Sequence, residues 1–205
     1  FDGRLWDDGL LRAVTLALYD TAGEDFVHAE RIRTMKYLQV ASGIVLVIDP
    51  LQIPALRGHM PASVALPPLD ARGAPNRILG DVLPLLEGEA AVAQLERFNV
   101  PLAVVLTKFD VLRDCGVVDA NRLWSTDRRH VGALDAELHD DMHGMVGELL
   151  DRWSRDTMNT IETRFSRYAF FGVSATGCSP DPSGRFPFVS PLRVEDPIVW
   201  LLAQL

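Results

Sequence analysis

Three apolar runs in the chain each lead directly into a short polar motif. The runs lie within residues 13–26, 100–110 and 168–177, and their β-branched and aromatic residues predict buried strands. Their motifs are Asp20-Thr21-Ala22-Gly23, Thr107-Lys108-Phe109-Asp110 and Ser174-Ala175-Thr176. Because open parallel sheets bind ligands at the carboxyl ends of their strands, we expect the three motifs to meet in one site.

Two further apolar patterns complete the predicted strands. Residues 42–49 form a continuous apolar run, which predicts a central parallel strand covered on both faces. Residues 1–19 predict a hairpin, since Asp7-Asp8-Gly9 lies between two apolar runs and Asp-Gly favours a tight turn.

The segments between the strands show helical periodicity, with apolar residues at three- and four-residue steps. The predicted helices cover residues 26–40, 77–98 and about 132–165. We expect breaks near Gly88 in the second helix and at Gly144 or Gly147 in the third. Alternating strands and helices predict an α/β fold, with a mostly parallel sheet and helices on both faces.

The end of the chain predicts a short terminal helix over residues 194–205. Asp196 is its expected N-cap and Pro197 its first-turn residue. Its apolar side chains are expected to lie on the sheet.

Two segments are loop-rich, and we interpret them as inserts in a single domain of residues 1–205. Residues 50–76 contain repeated proline and glycine, which precludes a long regular element, and residues 111–135 are mostly irregular. Long loops in compact domains tend to be functional or disordered, and the sequence leaves both readings open.

Composition and charge narrow the classes of partner. The 205 residues suffice for one α/β domain, and the net charge of −8 argues against nucleic-acid binding and a polybasic membrane patch. Cys115 and Cys178 lack metal-site spacing and are expected to be free thiols. No apolar run reaches the length of a membrane span, so we expect a cytoplasmic protein.

In combination and order, the motifs D-T-A-G, T-K-F-D and S-A-T resemble the third, fourth and fifth motifs of Ras-like small GTPases, in the P-loop GTPase superfamily. The resemblance spans nearly the whole chain, and the two long inserts are similar to those of bacterial stand-alone or double-GTPase-like proteins. It implies a three-layer P-loop NTPase-like fold. The phosphate-loop pattern G-x-x-x-x-G-K-[ST] does not occur in the 205 residues, so the N-terminal strand and phosphate loop are expected to be missing from this chain.

The resemblance also implies a function, namely guanine-nucleotide binding and magnesium-dependent GTP hydrolysis as a molecular switch. Asp20 would hold Mg²⁺ through water, and Gly23 would contact the terminal phosphate. Glu24 replaces the usual glutamine beside the attacking water, so hydrolysis is expected to be slow or assisted by a protein regulator or effector. Without the phosphate loop, the 205-residue chain alone is expected to be inactive as a GTPase.

For the base, the resemblance implies that Asp110 accepts two hydrogen bonds from guanine and that Lys108 lays its aliphatic stem along the base and sugar. Thr107 replaces the commoner asparagine. The backbone of Ser174, Ala175 and Thr176 would close the pocket, with the Ala175 N–H donating to the guanine carbonyl.

Two other functions remain open at this point. A nucleotide-free pseudo-GTPase acting as a protein-interaction scaffold would explain the missing phosphate loop and Glu24. A metal-dependent hydrolase would use His139 and His143, whose i, i+4 spacing on a helix can bind zinc. The more ordinary reading of those histidines is a polar helix face.

Overall fold

The structure is a computed structural model that describes residues 2–7, 10–15, 17–18, 38, 40–62, 64–70, 74–87, 97–118, 134–181 and 183–205. For the first two ranges it describes the backbone only. Asp20, Gly23 and Glu24 therefore lie outside the described residues, as do most of the predicted helix over residues 26–40 and the core of the 111–135 insert.

The predicted hairpin is confirmed. Strand β1 (Asp2–Asp7) pairs antiparallel with β2 (Leu10–Thr15), and Asp7 lies opposite Leu10 across a two-residue connection. The expectation that this second strand also joins the parallel sheet is wrong for the described residues. There, β1 and β2 form their own two-stranded sheet, in which β2 pairs with the strand that immediately precedes it in the sequence.

A parallel sheet of three strands carries the rest of the fold, which confirms the α/β prediction. Strands β3 (Ile44–Ile48), β4 (Leu102–Leu106) and β5 (Tyr168–Gly172) lie side by side in that order. Their register is even, with Ile48 opposite Leu106 and Leu106 opposite Gly172. All three strands therefore end at the same edge.

Helices cover both faces of this sheet, as predicted. Helices α2 (Pro75–Glu87), α4 (Ala136–Trp153) and α5 (Arg155–Arg164) share one apolar core with one set of strand residues. Helix α6 (Asp196–Leu202) covers the other face, where Trp200 and Leu201 pack against the alternate strand residues Ala103, Val105, Ala169, Phe171 and Val173. The period of two along each strand separates these two layers.

The third predicted helix is interrupted at Ser154, so the prediction of a break at Gly144 or Gly147 is wrong. Asp135 caps α4 by accepting the Leu138 N–H at 3.1 Å. Gly147 lies buried against the Phe170 ring, and a Cβ at this position would meet the ring at an ordinary contact distance of 3.5 Å. The glycine therefore lies at a helix-to-sheet contact and leaves the helix intact.

The assignment of Asp196 as N-cap of the last helix is also wrong. Glu195 occupies the cap position and Asp196 is the first helical residue. Asp196 is buried, and its Oδ2 accepts the Arg193 Nε–H at 2.6 Å. A carboxylate held by a buried guanidinium is not available to cap the helix.

Strand β3 lies at one edge of the described sheet, and one of its faces is exposed. The sequence predicted a central strand covered on both faces. Val45 and Val47 are 39% and 56% exposed, while Leu46 and Ile48 are buried. An apolar run thus identified the strand correctly, but it did not reveal that one face is open.

The segment after β3 contains only short regular pieces, as its prolines predict. A 3-10 turn at Pro50–Gln52 is followed by α1 (Pro54–Arg57). The Arg57 guanidinium donates to the carbonyls of Leu51 at 2.8 Å and Pro67 at 2.7 Å, which folds residues 64–70 back onto the turn. No described helix has the length and apolar character needed to cross a membrane.

Candidate functional site

The carboxyl ends of the three parallel strands bring two of the three predicted motifs together. Asp49 follows β3, the T-K-F-D motif follows β4 and the S-A-T motif follows β5 one residue later. The even strand register means that these residues lie along one edge of the sheet. The third motif, around Asp20 and Gly23, lies outside the described residues.

Backbone hydrogen bonds anchor the T-K-F-D motif to both neighbouring strands. Thr107 donates to the Ile48 carbonyl twice, through its N–H at 2.9 Å and its hydroxyl at 3.2 Å. The Phe109 N–H donates to the Val173 carbonyl at 3.0 Å. Thr107 thus ties the motif to β3 through its hydroxyl, a role for which an asparagine side chain is not required.

Between these anchors, Lys108 adopts a left-handed backbone conformation, with φ of 51°. Residues other than glycine rarely adopt such angles, and strained positions cluster at binding sites. The conformation turns the chain from β4 into α3 (Phe109–Asp114), so that Asp110 falls in the first helical turn.

Lys108 forms an ion pair that the sequence did not predict. Its Nζ donates to Oδ2 of Asp49 at 2.7 Å, and the side chains are 46% and 28% exposed. The other oxygen of Asp49 accepts the Leu51 N–H at 2.9 Å. The available signal was an aspartate directly after an apolar run, a position similar to that of Asp20.

Asp110 is buried, at 3% exposure. Among the described residues, its carboxylate has no hydrogen bond and no ion pair. Its oxygens are not among the fully buried side-chain atoms that lack a partner, so they remain accessible to solvent or to a ligand. Asp110 can therefore accept two hydrogen bonds from a bound molecule.

The S-A-T motif is held rigidly while its middle residue stays accessible. Ser174 exchanges two backbone hydrogen bonds with Leu192, at 3.1 and 2.7 Å, and its hydroxyl accepts the Gly177 N–H at 2.8 Å. The Thr176 hydroxyl donates to the Cys178 carbonyl at 2.9 Å. Ala175 is exposed, so its backbone can be approached from solvent.

Arg113 joins the second and third motifs and was not singled out from the sequence. Its Nη2 donates to the Gly177 carbonyl at 3.3 Å, and the guanidinium also pairs with Asp114. This contact connects α3, which carries Asp110, to the loop that carries Ala175. A ligand bound between them would be held by two linked segments.

The two histidines of the alternative metal site lie against the sheet edge. His139 stacks on Phe171, with ring centroids 5.1 Å apart, and Nδ1 of His143 accepts the Phe170 N–H at 3.2 Å. Burial lowers the pKa of both histidines below 6.5. Within the part of the chain that is described, no group of three or more His, Cys, Asp or Glu side chains could hold a metal.

A groove of about 480 Å³ lies between α4, α5 and the start of β5, near the opposite ends of the strands. Its floor includes Tyr168 and Phe170, and its rim carries the carboxylates of Glu148, Asp151 and Glu162. Arg152 also lines the groove, so three carboxylates face one cation and phosphate is disfavoured there relative to the carboxyl edge of the sheet.

Comparison with models of protein families, with curated proteins and with solved structures yields no match to this chain. Functional interpretation therefore depends on the residues and their geometry.

Proposed function

We propose that this chain forms the base-binding part of a guanine-nucleotide site at the carboxyl edge of its parallel sheet and that, completed by a phosphate loop and Mg²⁺, the protein hydrolyses GTP as a molecular switch, as Ras-like small GTPases do. The observation that carries the proposal is Asp110, a largely buried aspartate in the first helical turn after β4 whose accessible carboxylate has no hydrogen bond or ion pair among the described residues. In Ras-like small GTPases, the aspartate at this position of the T-K-x-D motif recognises the guanine base.

The chemistry of guanine matches this carboxylate. Guanine presents a ring N–H and an exocyclic amine side by side, and one ionised carboxylate can accept from both. Adenine lacks this pair of donors, so it would leave Asp110 buried and unpaired. Leaving a buried charge without its partner costs about 2 to 5 kcal/mol, which is enough to select guanine over adenine.

The neighbouring residues support the same reading. The aliphatic stem of Lys108 would lie along the purine while its ammonium is held by Asp49. The exposed backbone at Ala175 would donate to the guanine carbonyl, and the Ser174 hydroxyl is occupied with the Gly177 N–H, which keeps that loop in shape.

The hydrolytic part of the proposal rests on the sequence motif around Asp20. An aspartate carboxylate suits Mg²⁺, which prefers oxygen ligands and retains several waters. Gly23 would let the backbone approach the terminal phosphate, and Glu24 would stand beside the attacking water. A carboxylate there cannot donate a hydrogen bond to the phosphate, so slow intrinsic hydrolysis and a protein regulator are part of the proposal.

The decisive experiment is a calorimetric titration with GDP, GTP, ADP and xanthosine diphosphate in the presence of Mg²⁺. It uses the 205-residue chain and, in parallel, the polypeptide of its complete reading frame. We expect binding of GDP and GTP but not ADP. The variant Asp110→Asn should lose at least about thirtyfold in GDP affinity, the equivalent of about 2 kcal/mol.

The same variant should gain affinity for xanthosine diphosphate, because asparagine offers one donor and one acceptor where xanthine offers the complementary pair. Asp151→Asn, an exposed aspartate on α4, is the matched control and should leave both affinities unchanged. Absence of binding to every nucleotide would contradict the proposal and would favour the scaffold alternative.

A further inference from the structure

The carboxylate of Asp49 joins the ends of two strands. Its Oδ1 accepts the N–H of Leu51, at the start of the turn that follows β3, at 2.9 Å. Its Oδ2 accepts from Nζ of Lys108, which follows β4, at 2.7 Å. One side chain thus connects the β3 turn to the residue that precedes Asp110.

Asp49 is itself well positioned to act as a fixed point. It caps the 3-10 turn Pro50–Gln52, whose residues Pro50 and Leu51 are buried. Gln52 extends this turn by donating to the Pro68 carbonyl at 3.1 Å and accepting the Asp70 N–H at 2.8 Å. The aspartate is therefore anchored by Oδ1 in an ordered segment, while its Oδ2 accepts the hydrogen bond from Lys108.

Lys108, in contrast, needs an external restraint. Its side chain is 46% exposed, and a lysine side chain carries about 2 kcal/mol of rotamer entropy, which is lost when a ligand immobilises it. An ion pair formed before the ligand arrives removes part of that cost. The same contact fixes the Lys108 ammonium beside the end of β3, which limits where the four-carbon stem can lie.

We infer that Asp49 is a positioning residue of the base-binding site, which holds the Lys108 stem in place for a purine. This inference rests on the proposed function and deepens it. Asp49 touches neither the base nor the phosphates; it acts through Lys108. It also connects the base-binding site to the loop-rich segment of residues 50–70, because its other oxygen caps the first turn of that segment.

A double-mutant cycle on GDP affinity tests the inference. The variants are Asp49→Asn, Lys108→Met and the double substitution, titrated calorimetrically in the 205-residue chain and in the polypeptide of its complete reading frame. Asparagine keeps an oxygen that can accept the Leu51 N–H, so the turn is retained while the charge is removed. The free energy of unfolding of each nucleotide-free variant is measured alongside, so that a folding defect is recognised.

We expect Asp49→Asn to weaken GDP binding roughly three- to fivefold, in line with a partly exposed ion pair. The double variant should bind no more weakly than Lys108→Met alone, because Asp49 has nothing to position once the lysine is absent. A merely structural role would not produce this dependence on Lys108. Asp151→Asn serves as the control for loss of one acidic charge.

Four results would overturn the inference. Additive losses would show that Asp49 acts independently of Lys108, and unchanged affinity in Asp49→Asn would show that it does not act at all. Tighter GDP binding by Asp49→Asn would show that its charge only repels the phosphates. Failure of the unsubstituted protein to bind any guanine nucleotide would overturn the proposed function as well, whereas the other results leave that function intact.

Discussion

The backbone N–H of Phe170, on β5, donates to Nδ1 of His143, on α4, at 3.2 Å. Phe170 lies in an edge strand of the described sheet, whose outward N–H groups would otherwise remain unpaired. The bond requires a neutral imidazole that carries its proton on Nε2. The histidine pair that suggested a metal site therefore has a structural explanation, since one of its nitrogens closes the sheet edge.

This contact predicts that the protein loses stability as the pH falls through the histidine range. Burial lowers the pKa of His143 below 6.5 and acts in the same direction on His139, while Asp140 opposes it. The unfolded chain therefore binds protons first, so the stabilisation is complete above about pH 6.5 and declines as the pH falls below it. Urea denaturation at pH 7.5, 6.5 and 5.5 measures the effect.

The variant His143→Asn separates this histidine from other titrating groups. Asparagine places an oxygen near the position of Nδ1 but does not titrate, so the variant should lose less stability between pH 7.5 and 5.5 than the unsubstituted protein. His59→Asn, at an exposed position, should retain the full decline. Identical pH profiles for all three proteins would show that the bond to Phe170 does not govern the response.

Lys108 and Arg193 share the same unusual backbone angle, with φ of 51°, yet we predict opposite effects of glycine at the two positions. In Lys108→Gly the left-handed conformation becomes unstrained and only a partly exposed ion pair is lost, so the free energy of unfolding should rise by up to about 1 kcal/mol. Arg193→Gly removes the guanidinium from buried Asp196, so stability should fall by about 3 kcal/mol.

Chemical denaturation of the nucleotide-free variants measures both changes. A gain in stability for Lys108→Gly, together with weaker GDP binding, would indicate that the lysine is retained for binding at the expense of stability. If both variants lost stability equally, backbone strain at Lys108 would not be the dominant effect.

Gly177 and Gly184 form a second matched pair, since both have positive φ, of 74° and 80°. A Cβ at Gly177 would lie 2.1 Å from the Ser190 carbonyl oxygen, whereas a Cβ at Gly184 would meet nothing within 4 Å. Gly184→Ala should therefore cost about 1 kcal/mol, from backbone strain alone. Gly177→Ala should cost several times more, because the backbone at Ser190 must also move.

Gly177→Ala should also weaken GDP binding, since it displaces the Ser174-to-Thr176 loop through the hydrogen bond between the Gly177 N–H and the Ser174 hydroxyl. Denaturation and calorimetric titration of both variants check these expectations. Equal losses of stability for the two variants would mean that the close contact with Ser190 is relieved without cost.

Local pattern in the chain was sufficient for the strands and for their shared edge. Continuous apolar runs predict buried parallel strands, and a motif after each run must emerge at the carboxyl end, so the proximity of Lys108 and Ser174 to one edge followed directly. The same reasoning was less successful for helix ends. Gly144 and Gly147 lower helix propensity locally, but α4 runs through both, because a single glycine costs only about 1 kcal/mol and the packing of the whole helix on the sheet outweighs it.

Only the tertiary structure reveals the side-chain pairs between segments that are distant in the sequence. Asp49 and Lys108 are 59 positions apart, and His143 and Phe170 are 27 apart, so no periodic pattern links them. The coverage of β3 and the isolation of Asp110 likewise depend on which elements pack nearby. A periodic pattern in the sequence indicates which face of a helix or strand is buried. The residues that contact this face, and the exposure of each side chain, depend on how all the elements pack together.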